Sequence, residues 1–176
     1  NRWYKSAYRQ YLNSDQAAGA WWTPQDSWDM KPDQADTVPG FLAGFSDDFK
    51  NALTRVKVVT YGNNVTDDGS AVVTYDKIFL PSLQEIYCSP QASGEGTYWP
   101  YWKERTGAKT PQALYKIYPL RITRDLAQRT VGRYVRLRSA IRGGGYCAFS
   151  VSSSGYVGSW GAIGAIRCAP ACEMTN

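Results

Sequence analysis

The sequence predicts an α+β domain built of small antiparallel sheets, two early helices and long loops. Three observations carry that expectation. The clearest helical spacing of apolar residues comes early, in Trp3–Asn13 and after Ser46. Short β-branched or alternating runs follow, and from Tyr134 onward they dominate. The stretches between are rich in Pro, Gly, Asp and Trp and keep neither period. Small sheets beside a few helices are one of the few ways such a pattern can bury its apolar faces.

Trp3 to Asn13 reads as a short amphipathic helix with Trp3, Ala7, Tyr8 and Tyr11 on one face. Residues 14–40 read as an irregular loop pinned by Trp21, Trp22 and Trp28. Ser46 is the expected N-cap of a second helix through Phe49 and Leu53, with Val56 as its furthest end, because its hydroxyl can accept from a first-turn N–H. Arg55 to Tyr61 alternates and is β-branched, so a strand is expected there, with a turn from Asn63 to Gly69 and a further strand at Val72 to Tyr75. Leu83-Gln84-Glu85-Ile86 suggests a helical turn, and residues 89–111 an ordered loop insertion. Ala113 to Ala127 fits helix or strand equally. Tyr134–Arg138, Cys147–Val151 and Tyr156–Trp160 predict strands, the last two joined by a hairpin turn at Ser152-Ser153-Ser154-Gly155.

A length of 176 residues fits a single domain spanning 1–176, and 43% hydrophobic residues suffice for its core. The chain enters structured-looking sequence at Asn1, which reads as the C-terminal part of a longer or processed protein. No apolar run reaches membrane-spanning length, so no membrane insertion is expected.

Histidine is absent. That removes the usual general base near neutral pH, the Ser-His-Asp and Cys-His arrangements, and every zinc site that contains His. Cys88, Cys147, Cys168 and Cys172 form no CxxC pair, and thiols are the expected state. Cys168-Ala169-Pro170-Ala171-Cys172 has the wrong spacing for a redox pair, and no activating base accompanies it. Asp47-Asp48 and Asp67-Asp68-Gly69 lack the periodic carboxylates of a calcium loop and suit cap and turn roles. Gly143-Gly144-Gly145 lacks phosphate-loop spacing and suits a turn. The Arg121–Arg142 basic cluster belongs to no nucleic-acid motif, so no nucleic-acid partner is expected. Arg138, within it, and Arg167, beyond it, suit structural roles, bonding to carbonyls. The chain therefore reads as a non-enzyme without a metal or cofactor.

Residues 139–168 mix small residues with isolated large ones at no clean period. Ala148, Val151, Val157, Ala162 and Ala165 make a sparse inward set, interleaved with Tyr146, Phe149, Tyr156, Trp160, Ile163 and Ile166. A surface of Tyr, Trp, Ser and Gly is what a paratope uses: rigid aromatic contact area beside adaptable small polar groups. The alternative is a Gly-rich β meander whose aromatics are core.

Arg136-Leu137-Arg138-Ser139-Ala140, Gly155-Tyr156-Val157 and Ala165-Ile166-Arg167-Cys168-Ala169-Pro170-Ala171-Cys172 resemble the end of variable proteins diversified by retroelements, known from gut Bacteroides and their phages. Ser6-Ala7-Tyr8-Arg9-Gln10-Tyr11-Leu12-Asn13 and Asp76-Lys77-Ile78-Phe79-Leu80-Pro81-Ser82-Leu83-Gln84-Glu85 resemble the paired motifs of a domain family that often carries such tails. Residues 14–45 and 89–132 show no such likeness.

The resemblance implies a C-type-lectin-like fold of the formylglycine-generating-enzyme branch, with residues 139–168 as its variable region. It implies exchange at Ile141, Gly145, Tyr146, Cys147, Phe149, Ser150, Ser152, Tyr156, Gly158, Ser159, Trp160, Gly161, Ile163, Gly164 and Ile166, on side chains that point outward. Trp160 departs from the pattern, since mutated Asn codons do not readily give Trp; it comes from another adenine-containing codon or belongs to the framework. The implied function is receptor binding at the tip of a phage tail fibre, on an oligomer such as a trimer within the fibre. The partner is a host-surface protein or glycan, with Tyr146, Phe149, Tyr156 and Trp160 as anchors. A bacterial surface adhesin, a structural virion component and an oxidase of the formylglycine-generating type are the rival expectations.

Overall fold

The structure, a computed structural model, describes residues 2–86, 88, 90–100, 123–124, 132–153, 156–162 and 166–175. Two helices come early, α1 (Ala7–Leu12) and α2 (Asp47–Ala52), with 3-10 turns at Trp3–Lys5, Asp33–Asp36 and Phe41–Gly44. The strands are β1 (Leu53–Thr54), β2 (Val56–Tyr61), β3 (Ala71–Asp76), β4 (Ile78–Phe79), β5 (Thr123–Arg124), β6 (Gly132–Arg133), β7 (Val135–Ala140), β8 (Cys147–Val151), β9 (Val157–Gly161), β10 (Arg167–Cys168) and β11 (Ala171–Met174). The fold is α+β with small, mostly antiparallel sheets; the β10–β7 pair is parallel. The chain divides into two compact units.

One unit gathers Trp3–Val58, Thr74–Phe79 and Pro170–Asn176. Ser6 starts α1 by accepting from the Arg9 N–H at 3.1 Å. Asn13 ends it and organises the next layer. Its Oδ1 accepts from the N–H groups of Lys77 and Ile78 at 2.8 and 3.1 Å, and its Nδ2 donates to the Ile78 carbonyl at 2.7 Å. Asp76 is buried and receives the Trp3 indole at 3.0 Å, the Thr74 hydroxyl at 2.7 Å and the Arg9 guanidinium at 2.7 Å. The two N-terminal and central motifs are thus joined by hydrogen bonds. The expected apolar stripe is corrected: Trp3 and Leu12 are buried, whereas Ala7, Tyr8 and Tyr11 are half-buried. The helix restarts at Ser6 after a 3-10 turn, so one period does not run from Trp3 to Asn13.

Trp21 does pin its loop, donating from its indole to the Val38 carbonyl at 2.7 Å and packing against Tyr11. Trp28 does not; it stands 74% exposed. The Ser46 hydroxyl caps α2 through the Phe49 N–H at 3.3 Å. Leu53 leaves the helix and enters β1, which pairs with β11 in the order β1-β11-β4.

The other unit gathers Asn1–Arg2, Val59–Val73 and Leu80–Ala169. Its main sheet has the order β10-β7-β8-β9, with Val135 opposite Val151 and Val151 opposite Val157. Beneath it Leu83, Ile86, Cys88, Leu137 and Val151 form a buried cluster, with Phe149 and Val157 packed against it. β2 and β3 pair as a two-stranded ribbon, and β5 pairs with β6. The turn after β2 closes on Asn63, fully buried, whose Oδ1 accepts from Val65 and Thr66 at 2.8 and 2.7 Å. Gly69 there takes a φ of +70°, which a side chain resists. Residues 90–100 carry no strand, as the insertion reading expects. The rest of that reading, and the Ala113–Ala127 ambiguity apart from β5, fall outside the described residues.

Candidate functional site

A buried polar cluster fixes the sheet from below. Ser82 and Glu85 cap one turn reciprocally: the Ser82 N–H donates to the Glu85 carboxylate at 3.0 Å, and the Ser82 hydroxyl accepts from the Glu85 N–H at 3.1 Å. Arg138 on β7 grips that carboxylate with both terminal nitrogens, one of them at 2.7 Å, and also donates to the carbonyls of Leu80 and Glu95. The Ser139 hydroxyl donates to the Glu95 carboxylate and accepts from the Leu83 N–H at 2.9 Å. Burial pushes the Glu95 carboxyl above its usual range, against the opposing pull of Ser139, the Tyr61 N–H and the Arg138 charge, while Glu85 adds to the rise. Arg138 is structural and carbonyl-bound, as the sequence predicts. Arg167, on β10, is exposed.

Pairing across β8 and β9 sets which side chains share a face. Cross-strand partners lie on one side of a sheet and alternate positions along a strand share it. Arg136, Ser150 and Gly158 form one such row, with Ala148 and Trp160 paired beside it on the same face. The bonds from Ser152 N–H to the Tyr156 carbonyl and from Ala162 N–H to the Tyr146 carbonyl, both 2.7 Å, carry the ladder one step further at each end. Tyr146, Tyr156 and Trp160 therefore fall on the Arg136 side, and all three are open to solvent: 78%, 57% and 46%. The Tyr156 ring lies over Gly158, whose missing Cβ would meet it at 3.2 Å. Tyr134, itself exposed, sets its ring 5.3 Å from that of Trp160. The Arg136 guanidinium crosses beneath them to the carbonyls of Trp160 and Gly161 at 3.2 and 2.7 Å. Rigid arginine thus holds the strand that carries the open aromatics.

The residues expected to face outward divide into groups. Tyr146, Tyr156, Ser159 and Trp160 are exposed. Ile141, Gly145, Cys147, Ser152, Gly158, Gly161 and Ile166 are half-buried. Two expectations are corrected. Ser150 is only 3% exposed, because it lies in the row that Arg136 crosses. Phe149, half-buried, takes the opposite face and packs on the Leu83–Leu137 cluster. A Cβ on Gly145 would come within 2.9 Å of the Thr66 side chain, whereas one on Gly161 would meet nothing within 4 Å. Ile163 and Gly164 fall outside the described residues. Of the inward set, Ala148 and Val151 are buried, Val157 and Ala162 are half-buried, and Ala165 lies outside the described residues. Sequence reasoning placed Tyr134 at a strand start but missed it as a member of the aromatic face. Its spacing of two from Arg136 is the signal that finds it.

The acidic pairs serve local structure. Asp47 pairs with Lys50 in the first turn of α2. Asp67 pairs with Arg2 at 2.9 Å and accepts from Asn63, and Asp68 accepts from the Ser70 N–H at 2.9 Å. All four cysteines carry thiols, and burial pushes the Cys168 thiol up, away from the reactive thiolate. Among the described residues no helix is long and apolar enough to cross a membrane.

Residues 1–174 match the family described as Domain of unknown function (DUF6273), and the chain belongs to that family. Neither a curated protein nor a solved structure matches the chain.

Proposed function

We propose that this member of the DUF6273 family is a ligand-binding module of C-type-lectin-like build, in the formylglycine-generating-enzyme branch, and that it recognises its partner with the exposed aromatic residues on β9 and at the strand ends beside it. One observation carries the reading: Tyr134, Tyr146, Tyr156 and Trp160 stand exposed on one side of the sheet, while Phe149, Val151 and Val157 pack the other side onto the Leu83–Leu137 cluster. Exposed aromatics gathered on one surface mark interaction sites more often than scattered ones do. Covering about 100 Å² of one such ring removes enough apolar surface to contribute roughly 2.5 kcal/mol. Arg136 and the buried Arg138 cluster hold the strands that carry the rings, so little backbone ordering entropy opposes binding.

The motif likeness at 136–140, 155–157 and 165–172 supports a hypervariable face, displayed at a phage tail-fibre tip or on a bacterial surface. A host-surface protein or glycan is the partner, and several copies in one fibre turn weak contacts into firm attachment. The chain acts as a binder and not as an enzyme. Sequencing the gene across a natural population of its carriers tests this. Substitutions are expected to concentrate at Tyr146, Tyr156 and Trp160 while Arg136, Arg138, Ala148 and Val151 stay fixed. Uniform constancy over residues 139–168 would overturn the reading.

A further inference from the structure

The loop after α1 holds a second feature, made of other residues than the sheet face. Trp22, Pro24, Gln25, Asp26, Ser27 and Asp29 line an open cleft of about 500 Å³. Residues 21–32 contain no helix or strand, yet hydrogen bonds fix their course. Gln10 on α1 accepts from the Thr23 N–H at 2.8 Å and donates to the Thr23 carbonyl at 3.0 Å. The Asp29 carboxylate folds back onto the N–H groups of Gln25 and Asp26 at 2.7 and 3.0 Å. Lys5 pairs with Asp26 at 3.0 Å. The cleft is therefore formed before any ligand arrives. Trp28, between two lining residues, and Met30, just beyond them, are the open side chains of the same loop, at 74% and 79%.

We propose that this cleft is a saccharide-binding site taking a neutral sugar. Trp22 supplies a flat apolar surface for the C–H face of a pyranose ring, and Gln25, Ser27 and Asp29 exchange hydrogen bonds with its hydroxyls. The lining decides between ligand classes. A lipid or other apolar ligand needs mostly apolar walls, but polar groups of residues such as Gln25, Asp26, Ser27 and Asp29 supply about half of this lining. An anion needs an available cation, and Lys5 is committed to Asp26. A cation needs carboxylate charge that is not yet offset; Asp26 has Lys5 and Asp29 has two backbone donors. A ligand with one apolar face and a rim of uncharged donors and acceptors fits what is left. Pyranoses have that form.

An array of neutral oligosaccharides probed with the 176-residue chain tests the assignment, each hit then being titrated as free sugar by saturation-transfer NMR. At least one neutral sugar is expected to bind. Trp22→Leu, which removes the platform, and Ser27→Tyr, which fills the cleft from an exposed position, are each expected to weaken it about tenfold or more. Val65→Ala, at an exposed residue outside both the cleft and the aromatic surface, is expected to leave sugar binding unchanged. Melting curves show whether Trp22→Leu still folds; if it does not, Ser27→Tyr decides alone. A silent array, or binding that survives Ser27→Tyr, overturns the assignment. Sugar binding lost in Trp160→Ser but kept in Ser27→Tyr also overturns it and moves the sugar to the sheet face. The sheet-face reading stands or falls separately on the pattern of natural substitutions.

Discussion

Glu95 is buried near a second carboxylate, that of Glu85, while the Arg138 guanidinium bonds the Glu85 side chain and the Glu95 carbonyl. Burial raises the Glu95 carboxyl, so the folded chain holds this proton more tightly than the unfolded chain does. Its stabilising contribution is then full below the ordinary glutamate value of 4.5 and is lost as pH rises through the higher folded value. Glu95→Gln mimics the protonated form at every pH. The stability of Glu95→Gln relative to wild type should therefore increase from about pH 4 to about pH 8, read as urea midpoints along the series. A difference that stays flat or shrinks would refute the direction. Ser150 carries a second prediction at this scale. It pairs with Arg136 and lies beneath that side chain's path to β9. Ser150→Tyr should overpack the row and cost about 1–3 kcal/mol, whereas Ser159→Tyr, from an exposed site on the same hairpin, should change stability little.

At the scale of elements, the sequence disclosed most where local chemistry decides the outcome. The Ser46 cap, the β2 run and the Ser152–Tyr156 hairpin each depend on near neighbours, and each forms as expected. What sequence could not disclose depends on distant partners. Glu95 reaches Ser139 across 44 positions, and nothing in the intervening residues announces the pair. The outward set failed at Ser150 for the same reason: only the register with Arg136 reveals that a small residue is required there. Asn13 is the clearest case. As a helix terminator it is ordinary, but its side chain holds Lys77 and Ile78, more than 60 positions away. Asn13→Ala leaves those N–H groups without their acceptor and should cost about 1–3 kcal/mol. A loss below about 1 kcal/mol, by urea unfolding, would show that these bonds contribute little.

For the whole molecule, the proposed function requires that the recognition surface and the framework be energetically separable. A scaffold that exchanges its surface residues cannot depend on them for stability. The structure gives this a quantitative form. Tyr146, Tyr156 and Trp160 are open to solvent, and among them Trp160 has a ring neighbour in Tyr134, a contact typically worth about 0.5–1.5 kcal/mol. Changing all three to Ser should therefore destabilise by less than about 2 kcal/mol. Arg138→Ala, a single change out of sight of solvent, strands the Glu85 carboxylate and should cost about 3–5 kcal/mol. Urea midpoints and slopes measured side by side decide the comparison. If the triple variant proves the costlier, the aromatics belong to the core and the sheet face is not a recognition surface. If Arg138→Ala costs more while the triple variant keeps the wild-type slope, the face is free to vary on a framework that is not, which a diversified binder requires.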